Sequence, residues 1–296
     1  MPWRRLSGNE MTDPATHPTT SADTLPKPTA MQVGSLRVTA LQDGHFDLPT
    51  AFLTSPTGES PIADATFNLD VNAFLIQDAN RNILVDTGCG SQLGPTVNKL
   101  VPSLRAAGLA PSDIDAVLCT HIHPDHTNGL IDAQGSAIYT NAQVFVHQNE
   151  IDFWLNDGRR EQATGELRQS YEWAHEAFSP YAGRIEPFRS GGVLAGIEAI
   201  PLFGHTPGHC GFQFDGGGTD QLIIWGDVVH NIEVQAREPE ISVLADVNQS
   251  EARSTRLSIF DRVTADDVLV TGMHVKFPGF GRLRRAGAGY EFTPDP

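Results

Sequence analysis

The sequence predicts an α/β fold, in which strands alternate with helices. From residue 32 onward, short apolar runs alternate with turn residues and with helical patterns of apolar spacing. The composition, with 40% apolar and 19% charged residues, is that of a globular protein with enough material for a sizeable core. The sequence contains no repeat of about 20–50 residues, so a solenoid or a propeller is not expected.

The first predicted elements are three strands and a helix. A half-buried strand is predicted by "SLRVTALQDG", which places Leu36 and Val38 on one face. Two more strands are predicted on either side of the polar turn "DANRN", in "VNAFLIQDANRNILVDTG", and the second ends at Asp86. A helix is predicted by "TVNKLVPSLRAAG", beginning at Thr96 and closed by Gly108.

Strands and helices continue to alternate towards the C-terminus. A buried strand, "AVLCT", leads into His121, and "AQVFVHQ" predicts the next strand. A helix follows in "NEIDFWLND" with Asn149 as its N-cap, and a second helix, or a lid, in "GELRQSYEWAHEAFSPY". Further strands are predicted in "GIEAIPLFG", "LIIWGD" and "DVLVTGMH". The helix before the last of them, "EARSTRLSIFDRV", has Leu257, Phe260 and Val263 on one face.

Polar side chains stand at the ends of these strands. Five of them directly follow a predicted strand: Asp86, His121, His205, Asp227 and His274. Residues at strand ends can converge on one edge of a sheet, where loops carry the chemistry and the sheet holds them still. We therefore expect a functional site at this edge.

A dense histidine cluster indicates what that site binds. The segment "CTHIHPDHTNG" contains His121, His123, Asp125 and His126, although the whole chain has only 11 histidines. Imidazole and carboxylate together suit zinc or a similar first-row ion. The cluster alone cannot complete two metal sites, so distant residues are needed. The later motifs "FGHTPGHCGF", "WGDVVH" and "TGMHVKFPGFG" offer His205, His209, Asp227, His230 and His274.

Counting ligands leads to a two-metal hypothesis. One ion would take His121, His123 and His205; the other would take Asp125, His126 and His274; and Asp227 would bridge them. Two neighbouring ions lower the pKa of a shared water towards about 7 and produce a bridging hydroxide as nucleophile. A structural zinc site is not expected, because such sites are usually rich in thiolates and the sequence has no CxxC motif.

Charge and targeting signals limit the partners and the location. The formal net charge of −16 argues against nucleic-acid and anionic-membrane partners. No apolar run approaches the roughly 18 residues of a membrane-spanning helix. The arginine pair near the N-terminus is not followed by the apolar segment of a signal peptide, so a cytoplasmic location is predicted.

The domain organisation is expected to be simple. Residues 1–30 are rich in proline and threonine and predict a disordered leader, and residues 31–296 predict a single domain. The three cysteines, Cys89, Cys119 and Cys210, do not suggest a disulfide framework.

Four motifs resemble those of the metallo-β-lactamase fold superfamily: "THIHPDH", "GHTPGH", "WGDVVH" and "GMHVKFPG", in that order and with "LVDTG" upstream. The resemblance covers about residues 33–294. It implies an αββα sandwich, in which two mixed β-sheets are flanked by helices and a dinuclear metal centre lies at one edge of the sheets.

The resemblance also implies roles for individual residues. The ligands that it implies are His121, His123, Asp125, His126, His205, Asp227 and His274. It takes the first histidine of "HTPGH" as the ligand, which leaves His209 beside the metal centre. It further implies that Asp86 supports the ligand loop through hydrogen bonds.

Within the superfamily, the sequence is most similar to the methyl parathion hydrolase group and its lactonase relatives. This implies a metal-dependent hydrolase with two Zn²⁺ ions, or other divalent first-row metals, that opens a lactone or cleaves an aryl or alkyl ester with an apolar body. Hydrolysis of an organophosphate triester is the alternative. Asp227 stands where a penicillin-cleaving subclass has a cysteine ligand, so β-lactam hydrolysis is not expected. The resemblance also implies a homodimer.

The remaining candidates concern the substrate. Asp125 is expected to carry a proton to the leaving oxygen. His230 stands where related acyl-homoserine lactonases have a tyrosine, and it is a candidate hydrogen-bond donor to the substrate. Four aromatic residues are candidates for an apolar pocket, although packing in the core is the usual role of such residues: Phe153, Trp154, Tyr171 and Trp173. Iron redox chemistry and metal-dependent binding without turnover remain as alternative functions.

Overall fold

A computed structural model of the protein describes residues 26–56, 62 and 65–295. These residues form sixteen β-strands and seven α-helices, joined by loops and short 3₁₀ turns. The strands are β1 (Thr29–Val33), β2 (Leu36–Pro49), β3 (Leu53–Thr54), β4 (Thr66–Gln77), β5 (Asn82–Val85), β6 (Ala116–Leu118), β7 (Gln143–His147), β8 (Ile185–Phe188), β9 (Gly191–Leu194), β10 (Ile197–Pro201), β11 (Cys210–Asp215), β12 (Gln221–Ile224), β13 (Ser242–Val243), β14 (Leu269–Thr271), β15 (Gly281–Ala286) and β16 (Gly289–Pro294). The helices are α1 (Leu100–Ala106), α2 (Pro124–Thr127), α3 (Gln148–Trp154), α4 (Asp157–Gln162), α5 (Gly165–Phe178), α6 (Ile232–Arg237) and α7 (Gln249–Ala265).

The strands form two mixed sheets of seven strands each. The first sheet has the order β1-β2-β4-β5-β6-β7-β8, and its strands from β5 to β8 run parallel. The second sheet has the order β16-β15-β14-β12-β11-β10-β9, with a single parallel pair, β12 and β14. Strands β3 and β13 pair separately.

The two sheets pack face to face, with helices on both outer sides. Phe74 of β4 and Phe212 of β11 belong to the core between the sheets. Leu75, the neighbour of Phe74, points to the opposite face and packs against α1, α3 and α5, because side chains alternate along a strand. On the second sheet, Ile223 similarly packs against α6 and α7. The implied αββα sandwich with two mixed sheets is confirmed.

Helix α1 begins four residues later than the sequence predicts. It starts at Leu100 and not at Thr96, because its first amides are bound by a distant carboxylate. Asp43 of β2 accepts hydrogen bonds from the backbone N–H groups of Asn98, Lys99 and Leu100, at 2.9–3.2 Å. These hydrogen bonds satisfy backbone N–H groups that have no partner within the helix at its N-terminus.

Two further expectations need correction. The N-cap of α3 is His147 and not Asn149: the His147 Nδ1 accepts a hydrogen bond from the Asn149 backbone N–H at 3.1 Å. Strand β1 begins at Thr29 and pairs with β2, so the last two residues of the predicted leader belong to a strand. Residues 1–25 of that leader lie outside the described residues.

Two other features bear on the sequence predictions. Within the described part of the chain, no helix is long and apolar enough to cross a bilayer. The three cysteines are buried and are not joined in disulfides.

Candidate metal centre

The seven predicted ligands are brought together at one end of the two sheets. The loop after β6 and the start of α2 supply four of them, and the loops after β10, β12 and β14 supply the other three. None of the seven is more than 4% exposed. They are His121, His123, Asp125, His126, His205, Asp227 and His274.

The candidate ligands do not follow their strands as directly as the sequence predicts. Asp86 does directly follow β5, but the others stand three or four residues beyond the strand ends. The backbone first turns out of the sheet, as it does at Gly226, where φ is +58°. A Cβ atom on Gly226 would lie 2.5 Å from the His209 Nε2, so only glycine fits this turn beside Asp227.

Three imidazoles form the first group of candidate ligands. The Nδ1 of His123 lies 3.0 Å from the Nε2 of His121 and 3.0 Å from the Nε2 of His205. Two ligands of a tetrahedral zinc ion stand about 3.3 Å apart when each bond is about 2.0 Å long. These three nitrogens therefore have nearly the spacing of a metal-ligand set.

A carboxylate and two imidazoles form the second group. The Oδ2 of Asp125 lies 3.5 Å from the Nε2 of His126 and 3.3 Å from the Nε2 of His274. Their ligand atoms lie close enough together to hold one ion.

Asp227 stands between the two groups. Its Oδ2 lies 3.3 Å from the Nε2 of His205 in the first group, and 3.2 Å from the Nε2 atoms of both His126 and His274 in the second. The Nε2 of His121 is slightly farther away, at 3.7 Å. The Asp227 Oδ2 thus lies, from nitrogens of both groups, at about the distance that separates two ligand atoms of one metal ion.

The donor set fits a metal. The Oδ1 atoms of Asp125 and Asp227 are buried and have no hydrogen-bond partner among the described residues. An unsatisfied buried polar group costs about 1–3 kcal/mol, and more when it is charged. Two such carboxylates within a group of imidazoles are readily explained by cations that bind them.

The electrostatics of the centre point the same way. Burial by itself would raise the pKa of Asp227, but the surrounding imidazoles, with His126 first, outweigh it and hold that pKa well below its usual value. Burial and the neighbouring His126 lower the pKa of His121, whereas the Asp227 and Asp125 carboxylates raise the pKa of His126 and His274 despite their burial. A cation bound between these carboxylates would replace the protons on the rings, because metal ions bind ionised carboxylates and neutral imidazoles.

The nitrogen on the far side of several ligand imidazoles is held by the protein. The His126 Nδ1 lies 2.7 Å from the Asp86 Oδ2, and the His205 Nδ1 lies 2.8 Å from the Asp246 Oδ1. The His274 Nδ1 donates to the backbone carbonyl of Asp70 at 2.7 Å. Such contacts fix the ring and its tautomer, so that the opposite nitrogen presents its lone pair.

Asp86 also holds the start of the ligand loop. Its Oδ1 accepts from the Thr120 backbone N–H at 2.8 Å, and its Oδ2 accepts from the Thr120 hydroxyl at 2.7 Å. Asp86 therefore fixes Thr120, the residue that precedes the candidate ligand His121. Neither Asp246 nor Asp70 can be identified from the sequence, because no local pattern distinguishes them from other aspartates.

His209 contacts the backbone of a candidate ligand and not a metal position. Its Nδ1 donates to the Leu202 carbonyl at 2.7 Å, and its Nε2 accepts from the Asp227 backbone N–H at 2.9 Å. Burial lowers the pKa of His209 to about 3, in keeping with this neutral tautomer. The ring therefore fixes the turn that presents the Asp227 carboxylate.

His230 lies inside the same cluster. Its Nε2 is 3.2 Å from the Asp227 Oδ2, and its ring stacks on His274 with centroids 5.0 Å apart. The sequence predicted a substrate contact, but the His230 ring also forms a third possible ligand group with His205 and Asp227. Its Nδ1 is buried and has no hydrogen-bond partner among the described residues. Burial lowers its pKa to about 4, so the ring is neutral.

The four aromatic pocket candidates pack in two different places. Phe153, Trp154 and Tyr171 belong to the core outside the first sheet, and the Trp154 ring lies edge-on to His123 with centroids 5.4 Å apart. Trp173 packs against a separate apolar cluster that contains Phe52. Core packing accounts for these residues, and their role in a substrate pocket stays a prediction.

Glu150 is a site residue that sequence analysis missed. It lies on α3 and is completely buried. Its Oε2 accepts from the Ile122 backbone N–H at 2.7 Å, and its Oε1 accepts from the Gly208 backbone N–H at 2.6 Å. Ile122 stands between two candidate ligands, and Gly208 belongs to the loop that carries His205. One carboxylate therefore joins the ligand loops of both sheets.

A cavity of about 460 Å³ opens onto this cluster. His230 and His274 form its inner wall, and Asn68, Asp70 and Lys276 line its outer part. The volume is within the range of small-molecule sites, about 300–1,000 Å³. A small molecule that enters this cavity can reach the candidate metal centre.

Comparison with known proteins gives a family match. The family model described as "Metallo-beta-lactamase superfamily" matches residues 67–274. "Metallo-beta-lactamase domain-containing protein 1" of Xenopus laevis is 28% identical over 163 residues, which are 55% of each chain. "N-acyl homoserine lactonase AiiB" of Agrobacterium fabrum is 25% identical over 139 residues, 41% of this chain and 46% of the relative. The chain thus spans about half the length of the curated relatives that it matches.

Solved structures show the same fold over nearly the whole chain. The "hydrolase AbOPH in beta lactamase superfamily" has a TM-score of 0.85 and 27% identity, and the match covers 93% of this chain and 99% of that one. "AidC, a Dizinc Quorum-Quenching Lactonase", solved with a product, has the same TM-score and coverage at 22% identity, which supports the fold alone.

Proposed function

The chain belongs to the metallo-beta-lactamase superfamily, and on that premise we propose that it is a hydrolase that uses two first-row metal ions, preferably zinc, to open a lactone or cleave an ester. The observation that carries this proposal is the position of the Asp227 Oδ2, at 3.2–3.7 Å from imidazole nitrogens of both candidate ligand groups. A carboxylate in that position can be shared by two neighbouring ions.

The proposed ligand assignment follows the two groups. His121, His123 and His205 would hold one ion, and Asp227 would be shared. The other ion would be held by Asp125, His126 and His274. The donors are nitrogen and oxygen without thiolate, which supports a catalytic rather than a structural zinc site.

When bound, two such ions supply a water of lowered pKa and polarise the substrate oxygen. The chain's own residues would then orient the substrate and move the proton. Asp125, whose Oδ1 has no hydrogen-bond partner among the described residues, would carry a proton to the leaving oxygen. His230 would contact the substrate through Nδ1, since its Nε2 faces the Asp227 carboxylate. Trp154 would keep water away from the His123 side of the centre.

The preference for a lactone or ester is supported by the relatives. Several of them are named N-acyl homoserine lactonases, at 25–26% identity over part of the chain. A phosphotriester also has a good leaving oxygen and a charged transition state, so it remains the alternative substrate class. A panel of lactones, aryl esters and phosphotriesters on the metal-loaded protein separates the two.

Metal analysis of wild type and Asp227→Ala tests the shared carboxylate. Wild type is expected to hold about two metal equivalents per chain and to lose turnover when a chelator removes them. Asp227→Ala should lose both metal and turnover with an unchanged circular dichroism spectrum. Asp220→Ala, which removes an exposed loop carboxylate, should keep both. Wild-type metal content in Asp227→Ala would contradict the bridging assignment.

Two results would replace the proposal with another function. Bound iron with redox activity and no hydrolysis would identify an oxidoreductase. Metal-loaded protein that turns over none of the panel would indicate a binding protein.

A further inference from the structure

We propose that Gln235 of α6 is a positioning residue for His230, whose ring it aims at the substrate by holding the His230 backbone. This inference rests on the proposed function and adds a residue to that site. Gln235 is completely buried although its side chain is polar. Buried polar side chains are usually hydrogen-bonded, so the partners of this amide indicate what it does.

The amide oxygen of Gln235 holds the backbone around His230. Its Oε1 accepts from the His230 backbone N–H at 2.7 Å and from the Asn231 backbone N–H at 3.1 Å. The Asn231 side chain already caps α6, because its Oδ1 accepts from the Val234 backbone N–H at 3.1 Å. The shorter of the two Gln235 contacts lies outside the helix, on the residue that carries the imidazole. The Gln235 side chain therefore does more than support its own helix.

The His230 ring depends on its backbone for its orientation. Its Nε2 lies 3.2 Å from the Asp227 Oδ2, whereas its Nδ1 is buried and has no hydrogen-bond partner among the described residues. The ring also packs against Phe52, His205 and His274, with centroids 5.0–5.6 Å apart. Because packing is less directional than a hydrogen bond, a shift of the His230 backbone changes where Nδ1 points.

A buried guanidinium fixes the other end of the Gln235 amide. The Gln235 Nε2 donates to the Ile241 carbonyl at 3.0 Å, and the Arg256 Nη1 donates to the same carbonyl at 2.7 Å. Arg256 of α7 is 1% exposed, and it also donates to the carbonyls of Pro239 and Val228. Hydrogen bonds from a charged donor are among the stronger ones in proteins. Gln235 is therefore anchored to a carbonyl that is itself firmly held.

The guanidinium also fixes the backbone next to the shared carboxylate. Val228, whose carbonyl accepts from the Arg256 Nε at 2.7 Å, directly follows Asp227. The backbone between Asp227 and His230 is thus held at one end by the guanidinium and at the other by the Gln235 amide. Because Arg256 holds the Asp227 end, a change at Gln235 should affect the substrate contact of His230 and not metal binding.

A double-mutant cycle separates positioning from support of the fold. Gln235→Met removes the amide but keeps the length of the side chain. It should lower kcat/KM on a lactone about tenfold, because a displacement of about 1 Å at a reacting group can cost as much as about 100-fold. In the His230→Phe background the same change should cost nothing, since the group that Gln235 positions is gone. Metal content should stay at the wild-type level in all variants.

Two further variants frame this result. Gln235→Glu keeps an oxygen that accepts from both N–H groups, so it should recover part of the rate that Gln235→Met loses. Gln213→Met is the matched control, because Gln213 is a half-buried residue of β11 whose Nε2 donates to the Gln221 Oε1 at 3.1 Å. The same loss of an amide hydrogen bond there should leave kcat/KM unchanged. If Gln235→Met does not fold, Gln235→Asn, which is too short to reach the same N–H groups, takes its place in the cycle.

Binding without turnover keeps the inference separable from the proposed function. Calorimetric titration of the metal-loaded protein with 4-hydroxybutyrate, the product of opening a simple lactone, repeats the cycle. Gln235→Met and His230→Phe should each weaken binding, and the double variant should bind no more weakly than His230→Phe.

The outcomes of the two cycles are distinct. If wild type hydrolyses no lactone yet shows this coupling in binding, the proposed function fails and the positioning role stands. If the two changes are additive in both measurements, or if Gln235→Met alters neither, Gln235 only supports α6 and the inference is overturned. If wild type neither hydrolyses lactones nor binds the product, both the proposed function and the inference fail.

Discussion

Five imidazole nitrogens surround one carboxylate oxygen at the candidate metal centre. His230 contributes one of them, with its Nε2 3.2 Å from the Asp227 Oδ2. The other four belong to predicted ligands, and the far-side Nδ1 atoms of His126, His205 and His274 are bound to protein oxygens. The His230 Nδ1 has no such partner among the described residues. This difference separates His230 from those ligands and leaves Nδ1 for the substrate.

Replacing His230 with phenylalanine tests this distinction. The ring lies between Phe52 and His274, so a phenyl group of similar shape fits and the fold should survive. We expect unchanged metal content and a loss of about 100-fold in kcat/KM on lactones, the size of effect that is typical when a polar group in contact with the reacting atoms is removed. His175→Phe, on α5 and partly exposed, serves as the control and should match wild type. An unchanged rate would remove His230 from the reaction, and a loss of metal would make it a ligand.

Helix α3 connects the two ligand-bearing loops through one side chain. Both carboxylate oxygens of Glu150 accept from backbone amides, one in the loop of the first sheet and one in the loop of the second. In Glu150→Gln, one oxygen becomes an NH₂ donor that faces an amide donor. We expect metal affinity to fall about 10–100-fold, as is typical when a support of metal ligands is changed. Competition with a chelator measures this affinity.

The control for this variant is Glu176→Gln, which makes the same change at an exposed position on α5. It should bind metal as wild type does. If Glu150→Gln also retains wild-type metal affinity, then the two loops are held together by other contacts and Glu150 is only a structural residue.

The sequence was most informative about residues with rare types and regular spacing. His121, His123 and His126 stand out because histidine is scarce, and the strand patterns lead to them. Glu150 and Asp43 could not be found in this way, because their roles depend on amides that are distant in sequence. The helix start predicted at Thr96 is too early for the same reason, because the contact of Asp43 with the start of α1 cannot be seen in the local sequence.

Some elements also lacked a readable pattern. Helix α6 has only six residues, too few for a clear helical period, and it covers part of the second sheet next to the cavities. The strands β15 and β16 carry two exposed arginines, two glycines and one proline, which weaken the apolar alternation of a strand. Residues of α6 and β16 line a cavity of about 360 Å³ beside the candidate metal centre, so the sequence indicated the metal centre but not the space beside it.

On the scale of the whole molecule, the candidate metal centre joins the two sheets. Four candidate ligands follow β6 of the first sheet, and three follow strands of the second. Ions bound there would link both layers, and they would satisfy buried carboxylates that have no other partner among the described residues for their Oδ1 atoms. Metal ions that bind only the folded protein stabilise it, by about 4 kcal/mol when the free ion concentration is 1,000 times Kd.

Removing the metal should therefore lower the melting temperature of the protein. With about 2–4 °C per kcal/mol for chains near this size, we expect zinc to raise Tm by about 10 °C over the chelated protein, measured by calorimetry at matched protein concentration. Asp227→Ala should show a much smaller increase, since it lacks the shared carboxylate, whereas Asp220→Ala should behave as wild type. An equal Tm with zinc and with chelator would mean that the ions do not link the sheets. An ion held by residues of both sheets is released when the sheets separate, so its binding must raise the Tm.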